Sequence, residues 1–331
     1  MKSNVNLNRR HFLKTAGAAA LIGTAGLLEV PREAQAGEGK LATLFDLTKC
    51  DGCRDLEIPA CVSACKKIKA GRIPEPADPI PVPFPTRKIE DWSKKKEVSD
   101  RLTPYNLIYV QKAEVEVGGQ KKTVFVPRRC MHCDNPACAT LCPFAANHKF
   151  ENGAVVIDQE ACFGGAKCKT VCPWEIPQRQ SGVGVYLKVL PTLMGNGAMY
   201  KCDLCSDLLK EGKPPACVPA CPKKAMAIGP RREIYAMAEE LAARSGGYLY
   251  GKTENGGTST LYVSPVPFEA LDAAVQKGPG RPGLEAAKRR MAGTDALGKA
   301  VLAAPAVGIA AGLAGAFAFI SKRKNGSKKE E

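Results

Sequence analysis

Apolar and polar residues alternate along residues 106–117 and again along 122–126, the period-two pattern of half-buried strands. Gly118 and Gly119 lie between the two stretches, so they are expected to fold back on each other as a β-hairpin. The period lengthens over residues 231–245, where Ile234, Met237 and Leu241 recur at helical spacing before Gly246 and Gly247. That predicts a helix packed through those residues and stopped by the glycines. Residues 73–85, IPEPADPIPVPFP, break both periods and are expected to be an extended surface segment.

Towards both ends the apolar pattern becomes continuous. Residues 300–320 run without a charge, close to the roughly 20 residues that cross a bilayer, and lack the polar stripe of a buried surface helix. Lys322, Arg323, Lys324, Lys328 and Lys329 follow, so by the positive-inside rule the tail is cytoplasmic and the preceding body lies outside the cytoplasm. Gly308 and Gly312 make a small-residue pair suited to packing on a partner helix. At the start, Arg9-Arg10, Phe12-Leu13, a weakly apolar run and Ala34-Gln35-Ala36 before Gly37 follow the order of a twin-arginine export signal with its cleavage site. The expected organisation is a leader over 1–36, a body over 37–298, a transmembrane helix over 299–321 and a basic tail over 322–331.

The chain has 331 residues and 15 cysteines, an odd and unusually large number that argues against a full set of disulfides. Its 48 Lys and Arg outnumber 33 Asp and Glu, which raises the question of an anionic partner. No aromatic-basic patch or helix-turn-helix pattern accompanies that charge, so nucleic-acid binding is not expected. Anionic metal clusters inside the fold, each carrying about −2, would offset roughly half of the excess.

The cysteines fall into four groups: CDGCRDLEIPACVSAC from Cys50, CMHCDNPACATLCP from Cys130, CFGGAKCKTVCP from Cys162 and CDLCSDLLKEGKPPACVPACP from Cys202. Each ends C-x3-C, and in three a proline follows. This is the bacterial ferredoxin signature, in which a short loop aims three thiolates at one cluster and the last cysteine reaches another. Zinc is the bland alternative for C-x2-C pairs, but it predicts two pairs per site and leaves the repeated C-x3-C-P unexplained.

With these motifs the chain resembles the four-cluster ferredoxin-like electron-transfer subunits of membrane-bound respiratory oxidoreductases, over about residues 40–325. The family includes the β subunits of formate dehydrogenase, dimethyl sulfoxide reductase and nitrate reductase, and the iron-sulfur subunit of Hyb-type NiFe hydrogenases. The Hyb-type subunit is the nearest likeness, because it too combines an export signal, four motifs and one C-terminal span. The resemblance implies an α+β fold of two ferredoxin-like double-cluster modules with insertions. It implies pairing of motif one with motif four and of motif two with motif three. One 4Fe-4S cluster then falls on Cys50, Cys53, Cys61 and Cys221, and its neighbour on Cys202, Cys205, Cys217 and Cys65. A third falls on Cys130, Cys133, Cys138 and Cys172. The last site has only Cys162, Cys168 and Cys142, with Gly165 where a ligand belongs.

A 3Fe-4S cluster suits three thiolates; a fourth 4Fe-4S cluster completed by water or another residue is the alternative. Nitrate reductase β subunits depart from the four-cysteine rule at this same place. The implied role is non-catalytic: electron transfer between the large and small subunits of a NiFe hydrogenase and an integral membrane quinone-reactive subunit, on the periplasmic side of the inner membrane. A β subunit of a molybdopterin enzyme such as formate dehydrogenase is the runner-up, and a structural metal-binding protein the third reading. Lys66 in place of proline after Cys65 leaves the local loop shape open. His11 falls in the leader. His132 is expected to be a loop residue, His148 has no evident partner, and Lys167, Lys169 and Trp174 are expected near the third motif's site. Residues 248–271 show no chemistry of their own.

Overall fold

The computed structural model describes residues 39–84, 87–189 and 195–293. The expected leader, the apolar run and the basic tail lie outside the described residues. Among the described residues no helix is long and apolar enough to cross a membrane. The described residues from Leu41 to Gly293 belong to one unit, of mixed α and β content. Its elements are β1 (Leu41–Asp46), α1 (Ala60–Ile68), β2 (Tyr109–Val117), β3 (Gln120–Arg128), α2 (Ala137–Thr140), β4 (Asn147–Lys149), β5 (Val155–Ile157), α3 (Lys167–Val171) and β6 (Gln178–Gln180). They continue with α4 (Val185–Val189), β7 (Ala198–Tyr200), α5 (Ser206–Lys210), β8 (Met226–Pro230), α6 (Arg231–Ser245), β9 (Tyr248–Tyr250), β10 (Thr260–Ser264) and α7 (Phe268–Ala274).

The main sheet has the order β8-β1-β10-β9. Strand alternation divides its faces. Ala42, Leu44, Leu261 and Val263 meet Ile234 and Ala238 of α6, while Phe45 and Tyr262 stack at 4.9 Å on the other face, within the larger core that contains most of the cysteines. Helix α6 has the expected span and ends as the glycines predict: Gly246 is left-handed at φ +58°, and the Gly247 N–H donates to the Ala242 carbonyl, closing the helix with a Schellman-type turn. Its packed face differs from the expectation in one residue. The buried arc centres on Ala238, and Met237, about 100° round the helix from it, is 47% exposed.

The hairpin also forms, with β2 and β3 paired antiparallel from Tyr109↔Arg128 to Val117↔Gln120. Gly118 and Gly119 have φ of +61° and +75°, as a primed turn requires. The first strand begins at Tyr109 rather than 106, because Asn106 closes a local bridge with Thr103. Residues 73–84 form neither helix nor strand; Ala77 and Phe84 are tied to Gly182 and Asn196 by hydrogen bonds.

Two ladders of the same design bring distant motifs together. In the first, β1 and β8 pair antiparallel with Phe45 opposite Met226, so Cys50, after β1, and Cys221, before β8, emerge at one end. In the second, β4 and β5 pair with Asn147 opposite Ile157, so Cys142 and Cys162 emerge together. The correspondence extends to single bonds: Asp46 N–H donates to Ala225, and Asp158 N–H to Ala146. Each aspartate lies four residues before a loop's first cysteine, and each alanine four residues after a motif's last one. Each half of the α+β double-module architecture is therefore built on one such ladder.

Candidate metal centres

Cys50, Cys130, Cys162 and Cys202 open four loops built alike. In each, the second residue on has left-handed backbone: Gly52 at φ +72°, His132 at +48°, Gly164 at +65° and Leu204 at +58°. Its N–H turns back onto the cysteine sulfur, forming the kind of amide-lined concavity that favours an anion. The next residue is Cys53, Cys133 or Cys205 in three loops and Gly165 in the fourth. Gly165 therefore occupies the backbone position of a cysteine. Asp51 and Asp203 brace two of the loops by accepting the N–H of Cys53 and Cys205.

The second half of each motif spaces two cysteines four residues apart. In α1 this puts Cys61 and Cys65 one turn apart on a single face. In the second and third motifs the helix stops short, because the proline after Cys142 or Cys172 holds the preceding residue extended; Cys172 has ψ +123°. Lys66 removes that stop, so α1 runs on to Ile68, and its ammonium donates to the carbonyls of Glu97 and Val98.

None of the fifteen cysteines is paired in a disulfide. Cys65, Cys202, Cys205 and Cys217 ring one cavity, and Cys130, Cys133, Cys138 and Cys172 another. Cys142, Cys162 and Cys168 ring a third with Gly165. Cys50, Cys53, Cys61 and Cys221 also gather: burial, and then the neighbouring Cys217, Cys50, Cys53 and Cys221, push the Cys61 thiol far up. Burial likewise pushes Cys172 to about 12 and Cys217 to about 12, with neighbouring cysteines adding to it. Buried, crowded thiols resist ionising together unless cationic iron lies between them. Among the described residues no three His, Cys, Asp or Glu side chains converge on one ion. Thiols spread around a cavity suit a cluster, whereas zinc draws its ligands to a point.

Two models of a 4Fe-4S dicluster domain match residues 49–146 and 121–231. The hydrogenase-2 operon protein HybA of Escherichia coli O157:H7 is 30% identical, over 80% of this chain and 83% of that one. The chain belongs to the ferredoxin-like iron-sulfur subunits of respiratory oxidoreductases. A relative from Nitratidesulfovibrio vulgaris is 30% identical over 80% of this chain, which spans 66% of that relative's length. The iron-sulfur subunit of the nitrate-inducible formate dehydrogenase of Escherichia coli K12 is 27% identical over 70% of this chain and 71% of its own. As an iron-sulfur subunit, the protein transfers electrons between clusters.

The three-cysteine cavity of this iron-sulfur subunit lies beside an aromatic group, with Phe144 and Phe163 stacked at 4.0 Å and Tyr186 edge-on to Phe163. Gly165 sits at its exposed rim. Nothing lies within 4 Å of a Cβ placed there, whereas a Cβ on Gly164 would lie 2.4 Å from the Gly197 carbonyl oxygen.

Several side chains around the sites were not evident from the sequence. Asn255, inside 248–271, is buried and donates to the Cys133 sulfur at 3.3 Å. His132 is fully buried and accepts the Val155 N–H on Nδ1 at 3.0 Å. Burial first, then Lys201, Arg129 and Lys149, hold its pKa well below the ordinary imidazole value, so the ring is neutral. Trp174 does not line the three-cysteine site. It walls the cavity of Cys130, Cys133, Cys138 and Cys172 and donates to the Tyr250 hydroxyl at 2.8 Å. Of its expected companions, Lys167 does line the three-cysteine cavity, while Lys169 donates to Gln178. His148 contacts the Ala145 carbonyl and the edge of Phe150.

Asp203 is a buried acid lining the cavity of Cys65, Cys202, Cys205 and Cys217. Burial would raise its pKa, but Arg72 and Lys69 beside it hold the carboxyl below the ordinary range, at 3.1 and 2.8 Å. Asp203→Asn leaves two largely buried cations without their counter-charge, and is expected to cost about 3 kcal/mol. Denaturant unfolding of the loaded protein against the parent checks this.

Proposed function

We propose that the chain is an exported, membrane-anchored electron-transfer subunit that passes electrons between the two subunits of a NiFe hydrogenase and the quinone pool. Cys50, Cys53, Cys61 and Cys221 hold one 4Fe-4S cluster; Cys65, Cys202, Cys205 and Cys217 hold a second; Cys130, Cys133, Cys138 and Cys172 hold a third. Cys142, Cys162 and Cys168 hold a 3Fe-4S cluster. Each cluster, when bound, accepts and releases single electrons. The polypeptide fixes their spacing, excludes water and donates N–H groups to the ligand sulfurs.

The observation that carries this reading is the sharing of each C-x3-C pair between neighbouring sites. It joins the sites in two pairs, and the buried Lys201, near both Cys130 and Cys202, links the two pairs into a row. Cys61 is within electrostatic reach of Cys217, Lys201 of Cys130, Cys138 and Cys202, and Cys168 of Cys138. The three-cysteine site therefore stands at one end, under its exposed aromatic cover, where an integral membrane quinone-reactive partner would collect electrons. Export and anchoring rest on the twin-arginine order of residues 9–36 and on the uncharged run 300–320. The likeness to HybA favours a hydrogenase, while the likeness to the formate dehydrogenase subunit keeps a molybdopterin enzyme as the second reading. Affinity purification from gently solubilised membranes, read by mass spectrometry, is expected to recover both NiFe hydrogenase subunits and an integral membrane protein. Recovery of a molybdopterin enzyme instead would replace the first reading with the second.

A further inference from the structure

Two buried cations stand between the inner sites, and their arrangement is crossed. Arg129 directly precedes Cys130, yet its guanidinium lines the cavity of Cys65, Cys202, Cys205 and Cys217 and donates to the Cys202 sulfur at 3.4 Å. Lys201 directly precedes Cys202, yet its ammonium lines the cavity of Cys130, Cys133, Cys138 and Cys172. Both are almost wholly buried, at 1% and 3% exposure. Arg129 is fixed by the Thr43 hydroxyl and lies 5.1 Å over the Phe45 ring; Lys201 is fixed by the carbonyls of Val155 and Cys202. Asp203, the acid nearest Lys201 in sequence, is engaged by Lys69 and Arg72; Asp134, the acid nearest Arg129, is engaged by Lys149 and Arg231, and Arg129 Nε has no hydrogen-bond partner. A buried cation needs a counter-charge, and the thiolate-ligated cluster in the facing cavity supplies one.

We propose that Arg129 and Lys201 are positioning residues that set the potentials of the two interior clusters in exchange, each acting on the cluster its side chain faces rather than on the one its neighbouring cysteine ligates. The proposal rests on the ligand sets given above. A reduced cluster carries one more negative charge than an oxidised one, so a cation fixed beside it in a low-dielectric interior favours reduction. Two such cations keep both interior clusters reducible and ease the electron's passage between them.

The test is an EPR-monitored redox titration of the full-length protein loaded with clusters, its signals assigned with Cys205→Ser and Cys138→Ser proteins. Arg129→Gln is expected to weaken reduction of the Cys65/Cys202/Cys205/Cys217 cluster about tenfold, a fall of about 59 mV for a one-electron couple, and to leave the Cys130 cluster near its parent value. Lys201→Gln is expected to do the reverse. Arg129→Lys and Lys201→Arg, which keep the charge, are expected to keep most of the parent potential, which a purely structural role would not do. Unchanged potentials, shifts that follow the sequence neighbour, or equal shifts in the charge-keeping variants would overturn the crossing while leaving the clusters in place. Absence of the clusters from the parent protein would overturn the ligand sets as well. Should a Gln variant fail to fold, the Met variant at that position, which also removes the charge, decides: a shift confined to the facing cluster supports the proposal, and a shift of the sequence neighbour's cluster, or none, refutes it.

Discussion

Gly165→Cys is expected to close the open site and turn the 3Fe-4S cluster proposed for it into a 4Fe-4S cluster. Iron should rise by about one atom per chain. The oxidised S = 1/2 signal should disappear from the EPR spectrum, and the midpoint potential of that cluster should fall. The backbone is ready for the change, because Gly165 sits where the other loops have Cys53, Cys133 and Cys205, and its Cβ would enter open space. Gly164→Ala, one residue away, is the control. It forces a side chain into left-handed backbone at φ +65° and against the Gly197 carbonyl oxygen, which should cost about 2 kcal/mol or more without adding iron. A parent protein without the oxidised signal, whose iron content the substitution leaves unchanged, would show that the site already held a 4Fe-4S cluster.

Cys65→Ala and Cys61→Ala should empty different sites although the two cysteines are one helical turn apart. Cys65 lines the cavity of Cys202, Cys205 and Cys217, so its loss should remove the motif-four cluster and roughly four iron atoms, leaving the cluster of Cys50, Cys53 and Cys221. Cys61→Ala should do the opposite. Potentiometric EPR on the two proteins distinguishes them. Loss of the same signal in both would mean that motif one serves a single cluster, and the shared row would fail.

The difference between what the sequence conveyed and what only the structure could convey is one of distance along the chain. The hairpin around Gly118-Gly119 and helix α6 are local, signalled by period and by glycine stops. The cysteine spacings are also local, and they exposed the gap at Gly165. The register of β1 on β8 is not legible, because two short strands pair across some 180 residues and neither alternates strongly. Yet that register carries Cys50 to Cys221.

The same holds for charge. Lys49, Arg129 and Lys201 each directly precede the first cysteine of a motif, an identical signal in the sequence. Lys49 is exposed and pairs with Asp46, while the other two are buried between clusters. Trp174 was misplaced for a related reason: the helix that carries Cys168 ends at Cys172, and the chain beyond it belongs to the neighbouring cavity. Asn255 gave no signal, because a single asparagine in a long polar loop resembles any turn residue.

The central claim, a row of four clusters on fifteen cysteines, is tested most directly by iron and acid-labile sulfide analysis of anaerobically purified full-length protein together with its EPR spectra. About 15 iron atoms per chain, one oxidised S = 1/2 signal and interacting signals from three reduced 4Fe-4S clusters are expected. Zinc in place of iron, with little sulfide and no reducible EPR signal, would contradict it.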